Sequence, residues 1–253
     1  MEYFKYRYRT NIDFSIDFKS HVTIIGNSNN FFISTFLEYN KDTNIFIGEN
    51  ELKDNNLSTI YKDVSIVLYK HLNIFVGETV LDEIVFGLES LSYNKDDITS
   101  IVQSESRVYK LDHLLNRDPN SLGRSDTAKM KILSSLITKP KVLILDNIIS
   151  ELDYYDKLLI FKILDDFKKN GGIIINVTTD MEDTLNSDRI IIIQDNKVVC
   201  DGKTLSVLNE EKLLKRLGLG LPFIIELNKY LMDYGMINKY YLTNEKLVGA
   251  LWK

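Results

Sequence analysis

One cysteine, Cys200, stands among 253 residues. No disulfide can close within the chain, which fits a reducing compartment. No apolar run approaches the roughly 18 residues that a membrane-spanning helix needs, and the opening MEYFKYRYRT is too charged for a secretory leader. The chain is therefore expected not to cross a membrane itself. Basic charge is not in surplus either. A formal net charge of -5 argues against a partner bound through its phosphate backbone, and the scattered lysines read as a solvated face. Internal repeats and low-complexity tracts are missing. With 44% hydrophobic and 26% charged residues, the composition suggests neither disorder nor a disulfide scaffold. What remains is one large α/β domain, or a main domain with a small appendage, burying roughly 70–75% of its unfolded surface.

The hydrophobic pattern fills in that class. Val142–Leu145 and Gly172–Val177 are short apolar bursts without alternation, as expected for strands buried on both faces of a parallel sheet. Between them, Tyr155, Leu159, Ile163 and Phe167 recur every four residues in a helix over Leu152–Lys169, stopped by Asn170-Gly171-Gly172. Strand, helix and strand form a right-handed βαβ unit. The same logic predicts a strand over Val22–Ile25, a helix from about Phe32, a strand over Val64–Leu68, and helices over Glu78–Leu88 and Thr127–Ile137. Arg189–Gln194, Asp195-Asn196-Lys197 and Val198–Cys200 read as a hairpin. Beyond Gly202 the pattern turns helical, with a boundary near Lys203–Leu217 and a small helical tail.

IIGNSNNFFIST, Ile24 to Thr35, runs from an apolar strand into Gly26 and ends in Ser34-Thr35, as a phosphate-binding loop would. Such a loop needs small residues that let backbone N–H groups approach phosphates, a lysine against the β/γ charge, and a Ser or Thr on Mg²⁺. Here Phe31, Phe32 and Ile33 stand where a second glycine and the lysine belong. The segment is either a nucleotide site stripped of its chemistry or a strand-turn-helix kept for packing.

Three further stretches carry a resemblance. Val76-Gly-Glu-Thr-Val-Leu-Asp-Glu-Ile-Val-Phe-Gly-Leu-Glu89 resembles the segment after the Q-loop in ATPase subunits of energy-coupling factor (ECF) transporters, a branch of the ABC ATPases. Lys141–Asp146 followed by Ser150-Glu-Leu-Asp153 is similar to Walker B and the D-loop at their usual spacing. Leu217–Glu226 is similar to the start of that family's C-terminal domain. The resemblance covers nearly the whole chain. It implies an ABC-ATPase core over 1–205 with a mostly parallel sheet, an antiparallel N-terminal β subdomain and a helical subdomain over about 70–138. It also implies a helical dimerisation domain over 206–253.

Carried over position by position, the resemblance assigns a nucleotide site and shows it altered. Tyr8 lies where the family stacks adenine, although an aromatic in an alternating edge strand also simply covers a sheet. Gly26, Asn27, Asn30, Ser34 and Thr35 would surround ATP, with Asp146 and Ser34 around Mg²⁺. In the degenerate Walker A the lysine falls on Phe32 or Ile33, and Ser34-Thr35 align only across one inserted residue. The general-base glutamate falls on Asn147, which can orient water but cannot take its proton, a loss worth a factor of about 10²–10⁴. The Q-loop glutamine falls on Tyr69 and the switch histidine on Thr179. His21, His71 and His113 lie outside the motif order and read as solvated or packing residues. Leu-Ser-Gly-Gly-Gln, the signature offered to a phosphate on the other subunit, lands on Leu122-Gly123-Arg124-Ser125-Asp126. There Asp126 would repel phosphate unless Arg124 reached across; an inert, surface-exposed loop is the simpler expectation.

All five nucleotide elements depart from the family while the strands and contact surfaces stay close to it. That selectivity predicts a pseudo-ATPase subunit, with ATP and Mg²⁺ bound weakly or not at all. Its implied partners are a second ATPase, alike or different, and a transmembrane subunit in a vitamin or metal-ion importer at the cytoplasmic face of the membrane. The surfaces expected to meet them are Phe75, Val76, Thr79 and Glu83, the 122–126 segment, Ser150 and Asp153, and Phe223 and Tyr230 on the tail. A divergent but active ATPase and a soluble scaffold without a transporter are the alternatives. A kinase or GTPase would need the missing lysine too.

Overall fold

A computed structural model describes residues 2–27, 29–37, 42–53, 62–69, 73–90 and 94–252. The strands are β1 (Glu2–Tyr8), β2 (Ile12–Asp17), β3 (Ser20–Ile25), β4 (Thr43–Ile47), β5 (Asn50–Glu51), β6 (Val64–Leu68), β7 (Val142–Asp146), β8 (Ile173–Val177), β9 (Arg189–Gln194) and β10 (Lys197–Lys203). The helices are α1 (Asn29–Leu37), α2 (Val80–Ser90), α3 (Lys95–Val108), α4 (Arg124–Leu136), α5 (Tyr154–Lys169), α6 (Thr204–Leu208), α7 (Glu211–Arg216), α8 (Phe223–Asp233) and α9 (Asn244–Leu251).

Two sheets form the frame. An antiparallel sheet runs β2-β1-β4-β5, and a six-stranded sheet runs β10-β9-β3-β8-β7-β6. In the second, β9, β3, β8, β7 and β6 are parallel and only β10 is antiparallel. The continuous apolar runs of β7 and β8 are buried on both faces, as their lack of alternation predicts. One core fills the space between the sheets, joining Phe4, Tyr6 and Phe14 to Ile24, Ile144, Ile175 and Ile193. On the other face of the large sheet, α2 to α5 cover Leu143, Leu145 and Ile174, and α6 to α9 cover Ile25, Ile190 and Ile192. β1 pairs with strands on both sides and is not an edge strand.

Several boundaries differ from the sequence reading, each for a local reason. α2 starts at Val80, not Glu78, because Thr79 and Asp82 cap each other: Thr79 N–H and Oγ donate to Asp82 Oδ2 at 3.0 and 2.7 Å, and Asp82 N–H donates to Thr79 Oγ at 3.1 Å. α4 begins at Arg124, three residues before the expected Thr127, so the last three residues of the loop expected over 122–126 are the helix's first turn. α3 was not anticipated, since its polar run KDDITSIVQSESRV buries only a few apolar residues, Ile98 and Val102 among them. Its start was legible in Asn94, whose side chain accepts Asp97 N–H at 2.9 Å. The hairpin turn Asp195-Asn196 places both residues at positive φ, 51° and 56°, as a tight two-residue turn requires.

Of the histidines, His113 is exposed and His71 lies outside the described residues, while His21 is 4% exposed on β3. Burial holds the His21 imidazole down to about 4, with Asp188, Lys168 and Asp165 as the charged neighbours, and its Nε2 has no hydrogen-bond partner. The folded state thus binds this proton less readily than the unfolded chain. Stability is complete above pH 6.5 and falls as the pH drops toward 4, by about 3 kcal/mol from this group. Urea titrations across that window should show the loss in the parent chain and a shallower slope in His21→Leu.

Candidate functional site

The candidate site lies at the carboxyl ends of β3, β7 and β8, where chain turns from sheet to helix. β3 ends at Ile25, and Gly26 follows at φ 136°. A Cβ there would overlap the Ile193 carbonyl on neighbouring β9, so sheet packing and the backbone angle each suffice to require glycine. Asn27 is engaged reciprocally with the β9–β10 turn: its Nδ2 donates to Asp195 Oδ1 and its Oδ1 accepts Asp195 N–H, both at 2.8 Å. Asn30 falls within α1, whose bounds start at Asn29 and not near Phe32.

The side chains that follow face inward. Phe32 is 0% exposed, its ring 4.9 Å from Tyr6, 6.1 Å from Phe14 and 5.2 Å from Phe36. Ile33 is buried beside it. Thr35 Oγ donates to the Phe32 carbonyl at 2.7 Å and lies 3.2 Å from the Tyr6 hydroxyl, itself pushed by burial up to about 12. Ser34 Oγ donates to the Phe31 carbonyl at 2.8 Å. Phe31 meets the buried ring of Tyr8 edge-on at 4.6 Å, and the Arg9 guanidinium lies 5.3 Å from the same ring.

Across the sheet, Asp146 closes β7 in register with Val177. Asn147 adopts the left-handed region, φ 52° and ψ 20°, which asparagine tolerates better than most residues. Its N–H donates to the Val177 carbonyl at 2.7 Å. Its Oδ1 receives long contacts from Thr179, 3.4 Å from the N–H and 3.5 Å from the hydroxyl. The positions assigned to the general base and the switch histidine are therefore adjacent, and two neutral groups occupy them. Tyr69, beyond β6, is 41% exposed.

A second constellation surrounds Glu83 on α2. Val76 and Gly77 N–H donate to its Oε2 at 2.8 and 3.0 Å, and Lys131 Nζ donates to its Oε1 at 2.7 Å and to the Ile74 carbonyl at 2.6 Å. Burial opposes ionisation of Glu83, but the Gly77 amide, Lys131 and the Val76 amide outweigh it and hold the carboxyl below its usual range. Lys131 also sits 4.8 Å above the Phe75 ring. This bracing presents Ile74, Val76 and Phe86 to solvent at 59%, 67% and 53% exposure.

Known proteins bear on this geometry in two ways. The chain is 30% identical over 199 residues to the energy-coupling factor transporter ATP-binding protein EcfA of Malacoplasma penetrans, covering 78% of this chain and 69% of that one. It is 30% identical over 203 residues to EcfA1 of Mesomycoplasma hyopneumoniae strain J, covering 80% and 73%. The chain belongs to the ECF transporter ATP-binding proteins. No protein-family model matches it. Among solved structures, cbiO1 of Clostridium perfringens, part of the ABC transporter complex cbiONQ, superposes with a TM-score of 0.72 at 21% identity, over 90% of this chain and 100% of that one. A dimeric ATP-binding cassette in a post-hydrolysis state with ADP and Pi gives 0.71 at 18% identity, over 79% and 98%. Both show the ABC-ATPase fold.

In this ECF ATP-binding subunit the residues that the resemblance assigns to the signature and the D-loop also lie together. Gly123 caps α4 without a side-chain bond, and Asp153 caps α5 by accepting Asp156 N–H at 3.0 Å. Leu122 is partly buried against the α2–α5 core. Ser150 Oγ donates to the Asn147 carbonyl at 2.6 Å. The sequence reading missed Lys129 and Asp156 as partners of these segments and Lys131 as the partner of Glu83. Only Lys129, three residues after Asp126 on one helix, left a signal in its spacing.

Rebuilding the lysine of the phosphate loop is expected to fail physically. Phe32→Lys would remove an aromatic core and bury an ammonium without a partner, destabilising the fold by about 3–5 kcal/mol in urea titration. Gly26→Ala should cost more than about 2 kcal/mol, since a backbone carbonyl occupies the added methyl's place.

Proposed function

We propose that this ECF-type subunit is a pseudo-ATPase, a mechanical component that pairs with a second ATP-binding subunit beneath a transmembrane subunit at the cytoplasmic face. The observation that carries the reading is the complete burial of Phe32 in the aromatic core. A magnesium triphosphate demands a cation and a free hydroxyl at the turn after β3. Phe32 and Ile33 supply neither, and the Thr35 hydroxyl is itself buried at 3% exposure. Asn147 and Thr179 add no group able to accept a proton from water at neutral pH. These residues do not fit a bound ATP and Mg²⁺, and the chain's own site therefore supports no hydrolytic step.

What the chain retains is surface. Exposed Ile74, Val76 and Phe86 border the braced segment, and a cavity of about 420 Å³ between α2 and α3 has Leu81, Val85, Ile98 and Leu115 in its wall. These features support docking of a transmembrane partner there. Phe223 and Tyr230 are 66% and 64% exposed on α8, while Leu227 and Leu231 pack into the core that the tail shares with the large sheet. The exposed pair supports contact between two tails. Vitamins or metal ions are the proposed cargo of the assembled importer.

A divergent but active ATPase is favoured by one observation, the 79% exposed Arg124 side chain next to the D-loop. Titration of a fluorescent ATP analogue with and without Mg²⁺ separates the two. The pseudo-ATPase should show no saturation below about 1 mM, a binding free energy weaker than about 4 kcal/mol. Low-micromolar affinity, or turnover abolished by Asp146→Ala, would overturn the reading.

A further inference from the structure

The first turn of α4 and the first turn of α5 are joined inside the chain by a charged network that nucleotide chemistry does not require. The Lys129 side chain is 5% exposed, and its Nζ lies 2.9 Å from Asp126 Oδ1 and 3.1 Å from Asp156 Oδ2. Burial opposes the ammonium charge, but Asp126 and Asp156 outweigh it and raise the pKa above its ordinary value. Asp156 Oδ2 also accepts the Ser125 hydroxyl at 2.6 Å, and Ser125 Oγ accepts Asp153 N–H at 3.2 Å. On the outer side, Arg124 Nη1 is 3.5 Å from Glu151 Oε2.

Two of the residues by which this chain departs from the family signature, Ser125 and Asp126, are the ones this network engages. A hydroxyl has a single proton, and that of Ser125 is directed at Asp156, not outward. The Asp126 carboxylate is compensated from within by Lys129. We propose that Lys129 is a positioning residue that clamps the 122–126 segment to the 150–156 segment, making them one rigid plate instead of a donor to a nucleotide held by another subunit. The proposal rests on the reading that a second ATP-binding subunit faces these segments. Without the ammonium, two carboxylates that share one nitrogen would repel each other in a partly buried setting. Ser125 would then be released, and the Asp153 amide would lose its acceptor.

Hydrogen–deuterium exchange on the full chain without nucleotide tests this. Ser125→Ala should raise exchange at the Asp153 amide roughly three- to tenfold, with β7 and β8 unchanged. Lys129→Met should accelerate both segments by roughly tenfold or more, and adding Asp126→Asn should recover much of that loss, because one repelling charge is removed. A role confined to packing of the lysine stem would not be rescued by Asp126→Asn. Unchanged Asp153 exchange in Ser125→Ala, or no recovery in the double variant, would overturn the proposal. If Lys129→Met loses protection everywhere, the Ser125→Ala result decides alone. Because nucleotide is omitted, failure here would leave the pseudo-ATPase reading standing, and ATP binding near Gly26 would leave the clamp standing.

Discussion

A ring wholly removed from water cannot stand where phosphate charge must be met, and the burial of Phe32 governs the site end of this molecule. Its neighbours Tyr6 and Phe14 come from the antiparallel sheet and Phe36 from its own helix. The cluster therefore ties α1 to β1 and β2 as well as to the large sheet. Burying one such ring contributes about 1.5–3 kcal/mol, and ring pairs add about 0.5–1.5 kcal/mol each. Once α1 is seated on that core, the orientation of Ile33 and Thr35 follows, since they occupy the next positions on the same short helix.

Four polar positions around the site share a second habit: they are paired from within. Asn27 closes on Asp195, Thr179 on Asn147, Ser125 on Asp156, and Asp126 on Lys129. These groups are exposed or half-buried, so each such hydrogen bond contributes only about 0.5–1.5 kcal/mol. Glu83 and Lys131 do the same for the 74–77 segment while leaving its apolar side chains outside. This combination, quiet polar positions beside exposed apolar ones, underlies the proposed mechanical role.

Much of the frame was legible because period and run length are local properties. β6 and β9 fall on the residues the apolar runs marked, and β7 and β8 differ from them by one residue. The family's motif order was legible as well, since it depends on spacing along the chain. Helix starts were less so: α2 and α4 begin where capping and first-turn geometry place them, two and three residues from the starts expected at Glu78 and Thr127. α3 escaped notice because its few buried apolar residues lie among polar ones. The tail's Phe223, Leu227, Tyr230 and Leu231 could not be sorted in advance, as helical spacing does not say which neighbouring positions meet the sheet.

By itself, the sequence determined that no lysine stands between Gly26 and Thr35 and that residue 147, which the resemblance aligns with a general base, is an amide, because identity at a position needs no coordinates. It also determined the α/β class, through unbroken apolar strands too short to be helices. Tertiary structure alone decided that Phe32 meets Tyr6 and Phe14, that Gly26 answers to the Ile193 carbonyl, and that Lys129 reaches Asp156. Each of these depends on groups far apart in the chain whose meeting is set by packing, and no pattern within a single segment encodes it.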